Sequence, residues 1–225
     1  MSFFASWSPA MAYVLGYWFA DGNMYYQPGA GGYTVSIGSK DLAHLELLRA
    51  TIGLGRLTRI TGSEVFKLVI CRKAIFEELL RLGGSERKSL TLTWPMVPAA
   101  YLPHLVRGYV DGDGCLSWHR PRNSVHPLIE AVGTAAFLTG LAQAVQRQTG
   151  IPAPVCHSKA RRVNKVAWYG IAAKCLAIWL YQHHAGLALE RKAKLAAEFA
   201  AWQPKLFHER KVTPKMWELF GAYLP

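Results

Sequence analysis

Two stretches decide how this chain is read: Met11-Ala-Tyr-Val-Leu-Gly-Tyr-Trp-Phe-Ala-Asp-Gly22 and His104-Leu-Val-Arg-Gly-Tyr-Val-Asp-Gly-Asp-Gly114. Both carry Gly-Tyr-x-x-(Ala/Gly)-Asp-Gly in register, Asp113 standing 92 residues after Asp21. Ala12, Gly16 and Ala20 recur every four residues in the first, and His104, Gly108 and Gly112 in the second. Small residues at that spacing line one helix face and let two backbones approach closely. Packed along these stripes, the two helices are expected to bring Asp21 and Asp113 side by side at their C-terminal ends. Carboxylates there repel each other and oppose the negative end of each helix dipole. A divalent cation relieves both penalties. Carboxylate and carbonyl oxygens with retained waters are magnesium ligands, and such ions suit phosphodiester hydrolysis.

The segments after the two copies also match in type. After Gly22, Asn23 to Gln27 and Tyr33 to Ser39 read as a hairpin around Pro-Gly-Ala-Gly-Gly. Asp41 to Ile52 places Leu42, Leu45, Leu48 and Ile52 on one helical face. Arg56 to Thr61 and Val65 to Cys71 form a second hairpin around Gly62-Ser63, with Phe66, Leu68 and Ile70 on one side, and Ala74 to Leu82 is a helix. The second copy leads into strands near Cys115 to Arg120 and Val125 to Thr134, a helix from Phe137 to Gln148, strands near Val155 to Lys159 and Val163 to Ala172, and a helix from Cys175 to His184. Each half is thus α-β-β-α-β-β-α. The expected division is residues 1–91, a Pro-containing linker at 92–99, residues 100–202, and an extension at 203–225 in which Thr213-Pro214 opens a last short helix.

The apolar run from Phe3 to Ala20 invites a membrane or signal-peptide reading. Ser8-Pro9 fits a helix N-cap and first position, Asp21-Gly22 a stop, and the first basic residue is Lys40, so a core helix is expected. Cys71, Cys115, Cys156 and Cys175 are widely spaced, without the pairing a zinc site needs, and read as reduced, mostly buried thiols of an intracellular protein. The formal charge is +12 and the pI about 9.7, a balance that suits a polyanionic partner.

Val14-Leu-Gly-Tyr-Trp-Phe-Ala-Asp-Gly22 and Val106-Arg-Gly-Tyr-Val-Asp-Gly-Asp-Gly114 resemble the two signature copies of the LAGLIDADG homing endonucleases, and the resemblance runs to about Trp202. It implies an α+β fold of two pseudo-symmetric αββαββα halves, with paired motif helices and antiparallel β-saddles laid on DNA. It further implies metal ligation by Asp21 and Asp113 and by the carbonyls of Ala20 and Gly112. Lys88 and Lys192, in the matching runs Glu86-Arg-Lys-Ser89 and Glu190-Arg-Lys-Ala193, correspond to basic residues near the scissile phosphates. Ser39 and Thr134 correspond to polar positions ordering active-site water. The sequence departs from symmetry at Phe19 and Asp111, the latter expected to be structural or a minor polar contact. The implied cofactor is Mg2+, with Mn2+ substituting and Ca2+ supporting binding without cleavage.

DNA contacts are expected from strand faces opposite the cores: Arg56, Arg59 and Lys67 in the first half, and Ser117, His119, Arg120, Arg122, Lys159, Arg161, Arg162, Lys165 and Trp168 in the second. The second half is the more basic, with 16 Lys+Arg against 7 Asp+Glu from residue 99 onward, compared with 10 against 7 before it. A site-specific nuclease acting as a monomer on an asymmetric duplex is the expected function. An intron RNA-splicing maturase and a non-cleaving DNA-binding regulator are the alternatives on this scaffold.

Overall fold

The computed structural model describes residues 2–28, 32–122, 124–158 and 164–225. By internal packing the chain divides into Met1–Gly112 and Asp113–Pro225. No helix among the described residues is long and apolar enough to cross a membrane.

In the first unit, α1 (Pro9–Asp21) starts where Ser8 caps it, the serine oxygen accepting from the Met11 amide at 3.1 Å, with Pro9 in the first turn. Every residue from Met11 to Phe19 is buried, which is why this run is apolar on all sides. Strands β1 (Gly22–Gln27), β2 (Gly32–Ser39), β3 (Arg56–Arg59) and β4 (Phe66–Ile70) make an antiparallel sheet in the order β1-β2-β4-β3. Met24, Val35, Ile37, Leu68 and Ile70 point to the core, where α2 (Leu42–Ile52) and α3 (Lys73–Arg81) contribute Leu45, Leu48, Ile75 and Leu79. Leu42, expected on the buried face of α2, is exposed, and His44 is buried instead. The stripe that faces inward is 44, 45, 48 and 52, spaced three and four apart, so geometry outranks the polarity of one histidine.

A further helix, α4 (Lys88–Thr91), comes after α3, and residues 92–98 run without regular structure to a short turn and α5 (Leu102–Asp113). The α1 and α5 backbones meet through glycine: a Cβ on Gly16 would lie 2.0 Å from the Leu105 carbonyl oxygen, and one on Gly108 2.1 Å from that of Tyr13. The spacing of small residues along both helices therefore has the cause the sequence suggested.

The second unit repeats the plan. Strands β5 (Gly114–His119), β6 (His126–Gly133), β7 (His157–Ser158) and β8 (Asn164–Tyr169) form an antiparallel sheet in the order β5-β6-β8-β7. It is backed by α6 (Ala135–Thr149) and α7 (Ile171–Tyr181) through Leu138, Leu141, Val145, Leu176 and Leu180. Gly170, at φ 56°, ends β8, so α7 starts four residues before the expected Cys175 and the residues to Ala172 leave the strand.

Each set of seven elements is succeeded by one more helix, α4 in the first case and α8 (Glu190–Ala201) in the second. The order is thus αββαββα plus a helix that carries the matched lysine, Lys88 or Lys192. The extension contains α9 (Pro214–Phe220), capped by Thr213 as expected and held at the end of α6: the Thr213 hydroxyl donates to the Gly150 carbonyl at 3.1 Å, and Met216 is fully buried. The thiols are not mostly buried. Cys71 and Cys115 are exposed and Cys156 is partly so, leaving Cys175 alone in the core.

Candidate active site and nucleic-acid interface

Asp21 is the last residue of α1 and is exposed; Asp113, the last residue of α5, is half-buried. The glycine after Asp21 does not serve as a left-handed helix stop, since Gly22 has φ −83° and extended backbone. Its role is space: a Cβ there would lie 2.2 Å from Cδ1 of Trp18. Gly112 has a similar role one residue before Asp113. A Cβ on it would lie 2.3 Å from the Ala20 Cβ and 3.1 Å from the Asp21 carboxylate oxygen Oδ2. The bare backbone of Gly112 thus packs directly against Ala20 and beside the Asp21 carboxylate, with no space left for a side chain.

The donors at this helix end are all oxygen: the Asp21 carboxylate and the carbonyls of the last turn. Among the described residues no group of three or more His, Cys, Asp or Glu side chains is placed to hold a metal. The Asp21 carboxylate together with carbonyl, water and substrate oxygens would make an all-oxygen donor set. That set fits a hard cation such as magnesium and does not fit zinc.

Lys88 and Lys192 are not solvated helix-face lysines, being 5% and 3% exposed. Lys88, in the first turn of α4, donates to the carbonyls of Phe19 at 2.6 Å and Ala20 at 2.9 Å, and lies 5.6 Å from the Trp18 ring centroid. Lys192, in the first turn of α8, donates to the Gly114 carbonyl at 2.8 Å. Each ammonium thus binds backbone within two residues of a motif aspartate. Cations at a helix C-terminus offset its dipole and satisfy carbonyls that have no helical partner.

Asp111 is 1% exposed and accepts from the Tyr13 hydroxyl at 2.8 Å, while that hydroxyl lies 3.1 Å from Nε2 of His44. Arg107, 2% exposed, stacks its guanidinium 5.1 Å from the Tyr13 ring centroid and lies 3.1 Å from Nδ1 of His104. Asp111 is thus a buried acceptor, and the sequence does not single out Tyr13, His44 or Arg107, whose meeting joins α1, α2 and α5. Ser39 and Thr134 are not counterparts. By strand register Ser39 matches Gly133, whereas Thr134 caps α6 by accepting from the Phe137 amide at 3.1 Å, as Asp41 caps α2. Ser39 Oγ lies 3.4 Å from the hydroxyl of Tyr17, whose pKa burial holds well above the usual phenol value.

Strand alternation sorts the expected DNA contacts. On the first sheet Arg56 and Lys67 flank Val69 and Thr58 on the face away from the core, where Asn23 and Tyr25 of β1 also point. Arg59 stands an odd number of residues from Arg56 and so leaves that face. It pairs with Phe66, its guanidinium 5.9 Å from that ring, and donates to the Ser63 carbonyl. On the second sheet Ser117 and His119 share the outer face, while Arg120 and Arg122 sit exposed in the turn beyond β5. Trp168 does not face outward: it pairs with Ile129 in the core and is 2% exposed. Lys165 keeps its outward position but is ion-paired with Glu130, whose hydrogen bond raises the lysine pKa above its ordinary value. Lys159, Arg161 and Arg162 lie outside the described residues.

No protein-family model matches the sequence, and no curated protein is significantly similar to it. Solved structures are similar in fold. The LAGLIDADG meganuclease I-AabMI bound to uncleaved DNA superposes with a TM-score of 0.61 at 13% identity, covering 87% of this chain and 90% of that one. The meganuclease I-SmaMI bound to uncleavable DNA gives 0.57 at 14% identity, over 88% and 89% of the two chains. I-SmaMI on an uncleaved target with calcium ions gives 0.54 at 13%, over 97% and 98%. With two αββαββα repeats, each opened by a helix ending in Asp-Gly, this chain has the LAGLIDADG meganuclease fold.

Proposed function

We propose that this protein is a site-specific homing endonuclease. It acts as a monomer and makes a double-strand break in a long asymmetric DNA target by divalent-metal-dependent phosphodiester hydrolysis. The observation that carries the reading is the close approach at Gly112, where the α5 backbone packs against Ala20 and lies beside the Asp21 carboxylate. Asp21 and Asp113 are the ligating carboxylates, with the carbonyls of Ala20 and Gly112 as further donors. Magnesium, when held there, supplies Lewis-acid charge to the phosphoryl oxygens. Lys88 and Lys192 hold the backbone of the two helix ends in place and add positive charge where negative charge grows on the phosphate. A water oxygen attacks phosphorus, the bond to the 3′ oxygen breaks, and a proton passes to that oxygen to leave a 3′-hydroxyl and a 5′-phosphate. Arg56, Lys67, Ser117, His119, Arg120 and Arg122 face the duplex, and the unlike outer faces of the two sheets suit an asymmetric target.

The test is selection of cleaved molecules from a randomised duplex library in magnesium, then assays on the recovered site. Asp21→Asn and Asp113→Asn are each expected to abolish linearisation of a plasmid bearing that site while specific binding persists in calcium. Linearisation by either variant at the wild-type rate would exclude the metal assignment.

A further inference from the structure

The turn end of the β5–β6 hairpin faces a cleft of about 760 Å³ whose other wall is the extension after α8. Arg120, Arg122 and His126 line the hairpin side, and Lys205, His208 and Lys211 the extension side. Among the described residues no carboxylate lines it. Among the described residues none of its four Lys and Arg side chains is in an ion pair. Four like charges around one opening repel unless an anion joins them.

The extension wall is fixed at both ends. At its start the buried Lys174 donates to the Trp202 carbonyl at 2.8 Å, the Trp202 indole donates to the Val125 carbonyl at 3.1 Å, and its ring stands edge-on to His126 at 6.0 Å. At its end Thr213 and Lys215 bind the carbonyls of Gly150 and Arg147. Lys205 and Lys211 are thus carried on a stretch anchored on both sides. The cleft is also continuous with the expected DNA face, because His126 is the register partner of His119 on β5. Its cations are long, exposed side chains around an open cleft, an arrangement that tracks a chain of phosphates better than it encloses a single one.

We infer that residues 203–211 and the β5–β6 turn form an additional phosphate-backbone site, which holds duplex DNA beyond the sheet and lengthens the footprint on that side. The inference rests on the DNA-binding reading above and gives the extension its role. Its test is anisotropy titration of the full chain with a labelled random-sequence DNA duplex across a salt series. Lys205→Ala combined with Lys211→Ala is expected to weaken binding and to flatten the log–log salt slope by about 1.8, or about 0.9 per lost phosphate contact. The matching double Lys→Arg variant is expected to keep the wild-type slope. An unchanged slope in the alanine variant would overturn the inference, as would equal losses in the alanine and arginine variants, which would point to packing. A loss confined to an RNA duplex of the same sequence would reassign the cleft to RNA. Wild-type protein that binds no duplex overturns this inference and the nuclease reading together. A slope carried by the two lysines in a protein that cuts no selected target overturns the nuclease reading alone.

Discussion

The Lys88 ammonium lies 2.9 Å from the carbonyl oxygen of Ala20, the residue immediately before Asp21. A carbonyl has two lone pairs, so Ala20 can accept from Lys88 and still offer an oxygen to a cation. The lysine is thereby a positioning residue for the end of α1 as well as a source of charge, whereas Lys192 holds the chain on the other side of its aspartate, at Gly114, the residue after Asp113.

Lys88→Met and Lys192→Met are therefore each expected to slow single-turnover cleavage by about 10- to 1,000-fold, the range for losing one electrostatic stabiliser, without loss of DNA affinity. Because each also tethers backbone beside a motif aspartate, the metal assignment proposed above predicts that the magnesium concentration for half-maximal rate rises. Wild-type rates and magnesium dependence in both variants would leave the lysines a packing role only.

Gly16→Ala and Gly108→Ala set two effects against each other. In a solvated helix the change gains about 1 kcal/mol of helix propensity. Here the new methyl would meet backbone oxygens at 2.0 Å and 2.1 Å, and neither carbonyl can rotate away. Overpacking of a core costs about 1 to 3 kcal/mol, and a clash with backbone lies at the upper end or beyond. A net destabilisation of about 2 kcal/mol or more is expected in urea unfolding of either variant, and stabilisation would rule out helix contact at this distance.

Glu130 masks the charge of Lys165 on the outer face of the second sheet. Lys165→Ala is therefore expected to flatten the salt slope of DNA binding by less than the roughly 0.9 of an unpaired phosphate contact. Glu130→Gln should do the opposite, tightening binding and steepening the slope, because it frees a cation and removes an anion. Weaker binding by Glu130→Gln would show that the pair orders the strand instead. The raised lysine pKa also has a stability consequence. Its stabilising contribution is complete below the ordinary lysine value and is lost as pH rises through the higher folded value, so the Glu130→Gln variant should lack that alkaline loss.

Thiol titration separates the cysteines. Cys71 and Cys115 are exposed and are expected to react promptly with a disulfide reagent in the native protein. Cys175 is fully buried, and burial pushes its thiol up to about 12, so it should react only on unfolding. Prompt modification of all four would contradict the packing of α7.

The sequence alone determined the repeated Gly-Tyr-x-x-(Ala/Gly)-Asp-Gly motif, the order of strands and helices, the Ser8-Pro9 helix start and the close packing at Gly16 and Gly108. These obey local rules: helical period, strand alternation, capping chemistry and the space only glycine leaves. Tertiary structure decided what depends on partners distant in the chain. It buried Lys88 and Lys192 on backbone carbonyls, placed His44 beside Tyr13, turned Trp168 into the core and Arg59 off the shared face, and paired Lys165 with Glu130. It also brought Lys205 and Lys211 opposite Arg120 and Arg122. Apart from Arg59, whose face follows from strand alternation and whose partners lie close in the chain, no local period encodes such meetings, because these side chains settle against groups dozens of residues away, through burial and hydrogen bonds that exist only once the elements have packed.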